Sequence, residues 1–362
     1  MLILEKLQNI KKINLDLGKY TFFQKLNWRR IAIFLLFQFV FSAITAPLIL
    51  FYGPFENIKS VIVGSLYTTY RHKYMAEFFL SQEAIERIIG RDGYYTQSEL
   101  VNEQEMSEQP VEDIDIRASS SDKVEQFVID GGRSFQGYLI VVSDPKMVKV
   151  GYSSKLPVEG ERTSTLAKRN NALAAVNAGG FTYNGESWAS TGGTYEGFII
   201  RDGKVIGNAH GDEDTPDDAI GITDKGQLIF GRYSINDLRN KGVKEAICFF
   251  GPQLIVNGKK LFSQGETGGL GYAPRTAIGQ KATGEILFLC VDGRDLLGSL
   301  GASMYDLQEI LYKQGAYNAI NLDGGSSSAM YYNGKIINKP TNSAGERAIP
   351  SVFMVVPEGE DD

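Results

Sequence analysis

The sequence predicts an α+β protein: a strand-rich, mixed-sheet domain with few helices, preceded by a transmembrane helix and a helical stalk. Three observations predict it. Forty glycines in 362 residues imply many turns. Asp202-Gly203, Asn257-Gly258 and Asn333-Gly334 each separate apolar runs, the pattern of two-residue hairpins. A long uncharged run lies near the N-terminus, while the strand-rich region carries one clear helix, beginning at Ser303.

Residues 1–30 carry Lys6, Lys11, Lys12, Lys19, Lys25, Arg29 and Arg30. The uncharged run that follows is assigned as an anchor over residues 31–53. At about 1.5 Å per residue it spans a hydrocarbon core of roughly 30 Å. Trp28 and Tyr52 flank it as interface aromatics do, and the next basic residues are Lys59 and Arg71. Cationic residues concentrated on the N-terminal side place that end in the cytoplasm and the remainder outside. The run is longer than a signal-peptide core, and Pro47 after Ala46 disfavours cleavage there. A buried core helix would not carry this cationic flank.

Residues 54–90 read as a helical stalk, with Ser81 as a second helix start and Gly90 as a stop. The stalk could dock an envelope protein partner, although packing on the body is the commoner fate of such aromatics. Residues 91–125 are rich in Glu, Asp, Gln and Ser and read as an acidic polar linker. The globular domain is expected over residues 126–358. Strands are expected at Gly137 to Ser143, Lys146 to Tyr152, Ala172 to Asn177, Gly197 to Ile200, Leu228 to Phe230, Ala246 to Phe250, Gln253 to Val256 and Ile286 to Val291. A short helix is expected at Thr163 to Asn170. A second starts at Ser303 with Asp306 as a capping box, buries Leu307, Ile310 and Leu311, and stops at Gly315.

Net charge is −6, the wrong sign for a general nucleic-acid binder. Cys248 and Cys290 sit in apolar runs and read as buried thiols. His72 and His210 are the only histidines and lack partner patterns, which argues against a Ser-His-Asp triad. No Cys or His cluster has metal spacing. The acidic run Gly211 to Asp218 lacks EF-hand spacing and reads as a solvated loop. No cofactor is expected, with a bound calcium ion left open.

Four polar clusters stand at strand ends, where a sheet delivers groups to a rim. Asn177 is followed by Gly179 and Gly180, which admit close approach to the backbone. Arg275 opens a short strand and offers a two-point fork for phosphate or carboxylate. Asp292 and Arg294 follow the most apolar strand. Asp323 ends another, ahead of Gly324, Gly325, Ser326, Ser327 and Ser328. The last cluster lacks Gly-Lys-Ser/Thr, and a hairpin follows it, so it is not an NTPase loop. Glu346 and Arg347 add one carboxylate and one guanidinium late in the chain. Carboxylates with arginines suit glycosidic cleavage beside an anionic leaving group.

In this order the segments Asn177-Ala-Gly-Gly-Phe181, Arg275-Thr-Ala-Ile-Gly279, Val291-Asp-Gly-Arg294, Asn321-Leu-Asp-Gly-Gly-Ser-Ser-Ser328 and Gly345-Glu-Arg-Ala-Ile-Pro350 resemble the phosphodiester glycosidase family. The resemblance covers about residues 130 to 357, with Ala178 and Ser326 standing where the family pattern has Gly. It implies an extracytoplasmic enzyme that cleaves, or transfers, a sugar joined to phosphate through its anomeric carbon. Arg275 and Arg294 would hold phosphate, Asp292 and Asp323 would act as acid, base or nucleophile, and Asn177 with the serines would orient the ligand. Gly179, Gly180, Gly324, Gly325, Glu346 and Arg347 would line the site. A bacterial cell-envelope glycan is the implied substrate. Two other readings stay open: a non-catalytic envelope polysaccharide-binding module, and a phosphodiesterase cutting P–O.

Overall fold

A computed structural model describes residues 27–67, 73–91, 111–114, 123–132, 134–181, 191–249, 251–293, 299–341 and 345–357. The segment before residue 27, most of the acidic linker and Arg294 lie outside the described residues. The chain divides into two compact units, Met1–Phe55 and Glu56–Asp362.

The first unit holds helix α1 (Trp28–Tyr52), which runs through Pro47. Its 25 residues are long and apolar enough to cross a membrane.

The second unit starts with α2 (Glu56–Tyr67), α3 (Lys73–Phe79) and α4 (Gln82–Arg91). Ser81 Oγ accepts from Ala84 N and caps α4, as the sequence suggested. Val63, Ala76 and Ile85 are fully buried, so the stalk has an interior of its own. Gly64 on α2 abuts the Gly269 carbonyl, and any side chain there would overlap that backbone. Replacing Gly64 with leucine should therefore cost about 1–3 kcal/mol, the usual penalty of overpacking, and expose the 267–271 loop to protease. Unchanged proteolysis and unchanged denaturant midpoint would contradict this contact.

The body comprises β1 (Val124–Asp130), β2 (Gln136–Val142), β3 (Val148–Tyr152), β4 (Glu161–Arg162), α5 (Thr163–Arg169) and β5 (Ala174–Asn177). Next come β6 (Phe198–Arg201), β7 (Lys204–Asn208), β8 (Asp217–Thr223), β9 (Leu228–Tyr233), α6 (Ile235–Asn240) and β10 (Val243–Cys248). The chain continues through β11 (Gln253–Val256), β12 (Lys259–Lys260), β13 (Arg275–Lys281), β14 (Ile286–Val291), α7 (Met304–Lys313) and β15 (Ala316–Leu322). It closes with β16 (Met330–Tyr332), β17 (Lys335–Ile336), β18 (Ala348–Ile349) and β19 (Ser351–Val355).

A seven-stranded sheet has the order β1-β2-β14-β13-β15-β11-β12. Two five-stranded sheets run β7-β6-β10-β8-β9 and β17-β16-β5-β19-β3. The fold class is α+β, with antiparallel pairing throughout these sheets rather than mixed directions. One core lies among the three sheets, where Ile278, Phe288, Ile320, Val176, Phe353, Ile220 and Ile247 meet. On the other face of the large sheet, Leu289 and Val291 pack with Leu307 and Leu311 of α7. β14 is thus covered on both faces, which is why it reads as an unbroken apolar run.

Local chemistry explains the connections. Asp202-Gly203, Asn257-Gly258 and Asn333-Gly334 all take positive φ at both positions, as type I′ hairpins require. Ser303 and Asp306 form the expected capping box on α7, and Gly315 turns with φ +87°. Cys248 and Cys290 are free and buried in different clusters. The linker reading does not hold at 111–114. Glu112 N donates to Asn257 Oδ1 at 2.9 Å, and Gln227 Nε2 donates to Glu112 O at 3.0 Å, so these residues dock on the body.

Candidate active site

The ends of β5, β13, β14 and β15 meet at one rim. Asn177 is buried at the tip of β5, and its amide joins three segments. Nδ2 donates to the Asp323 carbonyl at 2.6 Å, while Oδ1 accepts from Thr276 Oγ1 at 2.8 Å and Ala329 N at 3.1 Å. A sequence that places Asn at this tip therefore fixes where β15 releases its last residue. Asn177 organises the rim instead of presenting its amide to a ligand.

Asp323 leaves β15 at that point. The following turn needs glycine, because Gly325 has φ +61° and Gly325 N donates to the Pro274 carbonyl at 2.8 Å. Asp323 Oδ2 is buried without a hydrogen-bond partner among the described residues. Burial lifts its pKa to about 6, against the opposing pull of Ser327, Arg347 and Gly324 N.

Arg347 stands beside this carboxyl. Its guanidinium lies 4.7 Å from the Phe181 ring centroid, and Nη1 donates to Ser326 Oγ at 3.0 Å. The adjoining Glu346 is tied to α5. Its carboxylate accepts from Ser164 N at 2.8 Å and Ser164 Oγ at 2.6 Å, near the start of α5. The substrate-contact role expected for Glu346 is corrected on this ground: both of its oxygens are engaged by Ser164.

Glu196 is the residue that sequence reasoning missed. It precedes β6, and its main-chain N donates to the Gly180 carbonyl at 3.1 Å. A Cβ at Gly180 would overlap the Glu196 carboxylate, while a Cβ at Gly179 would come within 2.5 Å of Ser351 Oγ. The paired glycines thus admit protein groups, Glu196 above all, where the sequence suggested a ligand. Burial, then the charges of Asp323, Asp217 and Asp218, raises Glu196 to about 7. A signal for it existed, since Tyr195-Glu196-Gly197 is another carboxylate at a strand tip.

Arg275 also departs from expectation. Along β13 neighbouring side chains point to opposite faces, and Thr276 takes the face of Asn177. Arg275 therefore points the other way and is buried. Its guanidinium donates to the carbonyls of Leu270 at 2.7 Å, Gly271 at 2.8 Å and Ala302 at 3.3 Å. It braces these loops beneath the rim. Asp292 lies at the rim, buried, with Oδ1 accepting from Lys339 N at 2.8 Å and Asn338 Nδ2 at 3.2 Å. Burial raises its pKa, with those hydrogen bonds opposing. Its sequence partner Arg294 is outside the described residues.

The acidic loop before β8 bonds to itself and to Arg239. Asp212 accepts from Asp214 N, Thr215 N and Thr215 Oγ1, and Glu213 pairs with Arg239 at 2.9 Å. His210 Nε2 lies 2.8 Å from Asp217 Oδ2, a partner not legible from the sequence. Among the described residues no group of three or more His, Cys, Asp or Glu is arranged to hold a metal ion.

A half-buried carboxyl pair, a stacked guanidinium and a glycine-serine turn at converging strand tips define a glycosidase-type site, and residues 170–356 match the phosphodiester glycosidase family. That match takes in more than half of the chain, and the chain belongs to this family. Among curated relatives, it is 30% identical over 207 residues to the SPbeta prophage-derived uncharacterized protein YomE of Bacillus subtilis (strain 168), covering 56% of this chain and 31% of that protein. It is 26% identical over 229 residues to the N-acetylglucosamine-1-phosphodiester alpha-N-acetylglucosaminidase of Mus musculus, covering 58% and 42% respectively. The chain thus spans less than half the length of these relatives. The catalytic domain of the zebrafish N-acetylglucosamine-1-phosphodiester alpha-N-acetylglucosaminidase, auto-inhibited by its pro-peptide, shares the fold. Its TM-score is 0.55 at 24% identity, over 68% of this chain and 87% of that one.

Proposed function

We propose that this chain is a membrane-anchored, extracytoplasmic hydrolase or transglycosylase that breaks the bond between a sugar anomeric carbon and a phosphodiester oxygen. The observation that carries this reading is the Asp323–Glu196 pair beside Arg347. Asp323 titrates lower and serves as base or nucleophile toward the anomeric carbon. Glu196 titrates higher, keeps its proton longer and serves as acid toward the leaving oxygen. Cleavage of C1–O turns a singly charged diester into a phosphomonoester whose second pKa is about 6. Arg347 neutralises that added charge, held ready by Phe181 and Ser326.

Within this reading, Gly324 and Gly325 form a side-chain-free turn beside the ligand, their amides engaged by Asp323 and the Pro274 carbonyl, and Ser326 to Ser328 supply hydroxyls. Arg294 keeps its proposed share in anion binding through its place in Val291-Asp-Gly-Arg294. Helix α1 tethers the enzyme, and the cationic residues before it favour a cytoplasmic N-terminus. A phosphodiester-linked cell-envelope glycan is the proposed substrate, since the active domain would face the envelope. The bond class named for the mouse and zebrafish relatives supports the same chemistry.

The test is hydrolysis of a panel of sugar-1-phosphodiesters in oxygen-18 water by the full chain. Label should enter the sugar, because water attacks carbon. Label in phosphate would establish P–O cleavage instead, and binding without release of either product would leave a glycan-binding module.

A further inference from the structure

Resting on the proposed function, we infer that Asn338 is a positioning residue that holds Asp292 and the Asp323–Ser328 turn in register. Asn338 lies in Ile337-Asn-Lys-Pro340, just after the β16–β17 hairpin and outside all the motif segments.

Two buried asparagines suspend the turn, one at each end. At its start Asn177 Nδ2 donates to the Asp323 carbonyl, and at its end Asn338 Nδ2 donates to the Ser328 carbonyl at 3.2 Å. Each amide oxygen then accepts from the residues that follow the turn: Ala329 N for Asn177, and Met330 N at 2.8 Å for Asn338. The second N–H of Asn338 goes to Asp292 Oδ1 at 3.2 Å, on the tip of β14. The adjoining Lys339 N donates to that same oxygen at 2.8 Å. With its oxygen committed to Met330 N, the amide nitrogen must face the two acceptors, Asp292 and Ser328 O. Among the described residues, Asn338 thus bonds both the Asp292 tip and the turn following Asp323. Losing this buried donor removes the side-chain bond to the Ser328 carbonyl and leaves Asp292 Oδ1 with Lys339 N.

Aspartate at 338 separates positioning from mere filling of space. It matches asparagine in size and still accepts from Met330 N, but once ionised it turns the donor into a third acceptor. Its carboxylate would then face Asp292 Oδ1, and two carboxyls sharing one space hold a proton between them more tightly than either does alone. Lys339 also lowers Asp292, whose own charge raises Tyr138 and Cys290. Tyr138 and Cys290 are pushed up from already alkaline values, so neither titrates between about pH 5 and 8.

The experiment compares wild type, Asn338→Asp and Asn338→Ala as full chains, with turnover of a sugar-1-phosphodiester and denaturant stability measured from pH 5 to 8. Asn338→Asp should turn over roughly 10- to 100-fold more slowly than wild type at pH 8, the cost of misplacing a site by about an ångström. Its turnover relative to wild type should rise as pH falls and the shared proton returns. Asn338→Ala should be slowed by a similar factor at every pH, with KM changed little in both. A pH-independent ratio for Asn338→Asp, or wild-type turnover at pH 8, overturns the inference. Should wild type itself release no product from any such diester, the proposed activity fails. The positioning contact is then judged by stability alone: Asn338→Asp must lose more stability at pH 8 than at pH 5 relative to wild type, and equal losses overturn it.

Discussion

Asp323→Asn should reduce turnover of a sugar-1-phosphodiester by about 10²- to 10⁴-fold, the range lost with a positioned base or nucleophile, while KM stays within a few-fold. The fold should survive, because Asn177 holds the main-chain carbonyl of residue 323 and not its side chain. The substituted amide meets one difficulty. Asp323 Oδ2 is buried without a partner among the described residues, so an NH2 there would be left unsatisfied, at about 1–3 kcal/mol. Loss of a buried charge works in the opposite direction. Burial raises Asp323 to about 6, above its unfolded value, so the folded state prefers the protonated acid. That preference stabilises the fold below the unfolded pKa of about 4 and is lost as pH rises through about 6. Relative to wild type, Asp323→Asn should accordingly gain stability between pH 4 and pH 8. Wild-type activity should itself rise through about pH 6, as the carboxylate forms. Full turnover by the variant, with native circular dichroism, would remove Asp323 from the mechanism.

The turns, the α7 capping box and the strand tips were legible because each depends on neighbours in sequence. Asn333-Gly334 needs only its own two positive φ values. The directions of side chains at the rim were harder. Arg275 and Thr276 are adjacent and cannot face the same side of β13, so once Thr276 meets Asn177 the guanidinium is sent beneath the rim. Nothing in Arg275-Thr-Ala-Ile-Gly279 states which of the two faces the ligand. Glu346 was misread for a related reason. Its partner Ser164 lies 182 residues away, and a helix cap supplied over that distance leaves no local pattern. Glu196 has the same origin: the glycine that makes room for its carboxylate is Gly180, on another strand tip. What sequence motifs conveyed was which segments converge; which atoms are spent on bracing that convergence required the hydrogen bonds.

Glu196→Gln should have a smaller but more diagnostic effect, with turnover near its optimum reduced by roughly 10²-fold, the low end of what a positioned acid contributes. The modest size follows from the leaving group. A phosphomonoester with a second pKa of about 6 departs without full protonation, so an acid of pKa about 7 shares its proton and does not have to surrender it. The wild-type enzyme should lose activity above about pH 7, as Glu196 ionises, whereas Glu196→Gln should have no such alkaline limb. The coupling of the two carboxyls gives a second check. The Asp323 charge helps to raise Glu196, so in Asp323→Asn the Glu196 pKa should fall. Stability must move in the opposite sense to activity. Glu196 is raised above its unfolded value, so its ionisation destabilises the fold as pH rises through about 7. Glutamine at this position should thus raise the denaturant midpoint at pH 8 while it slows turnover. A site whose acid is kept protonated by burial and by three neighbouring carboxylates holds that strain for catalysis, and an alkaline limb that persists unchanged in Glu196→Gln would assign the acid to another group.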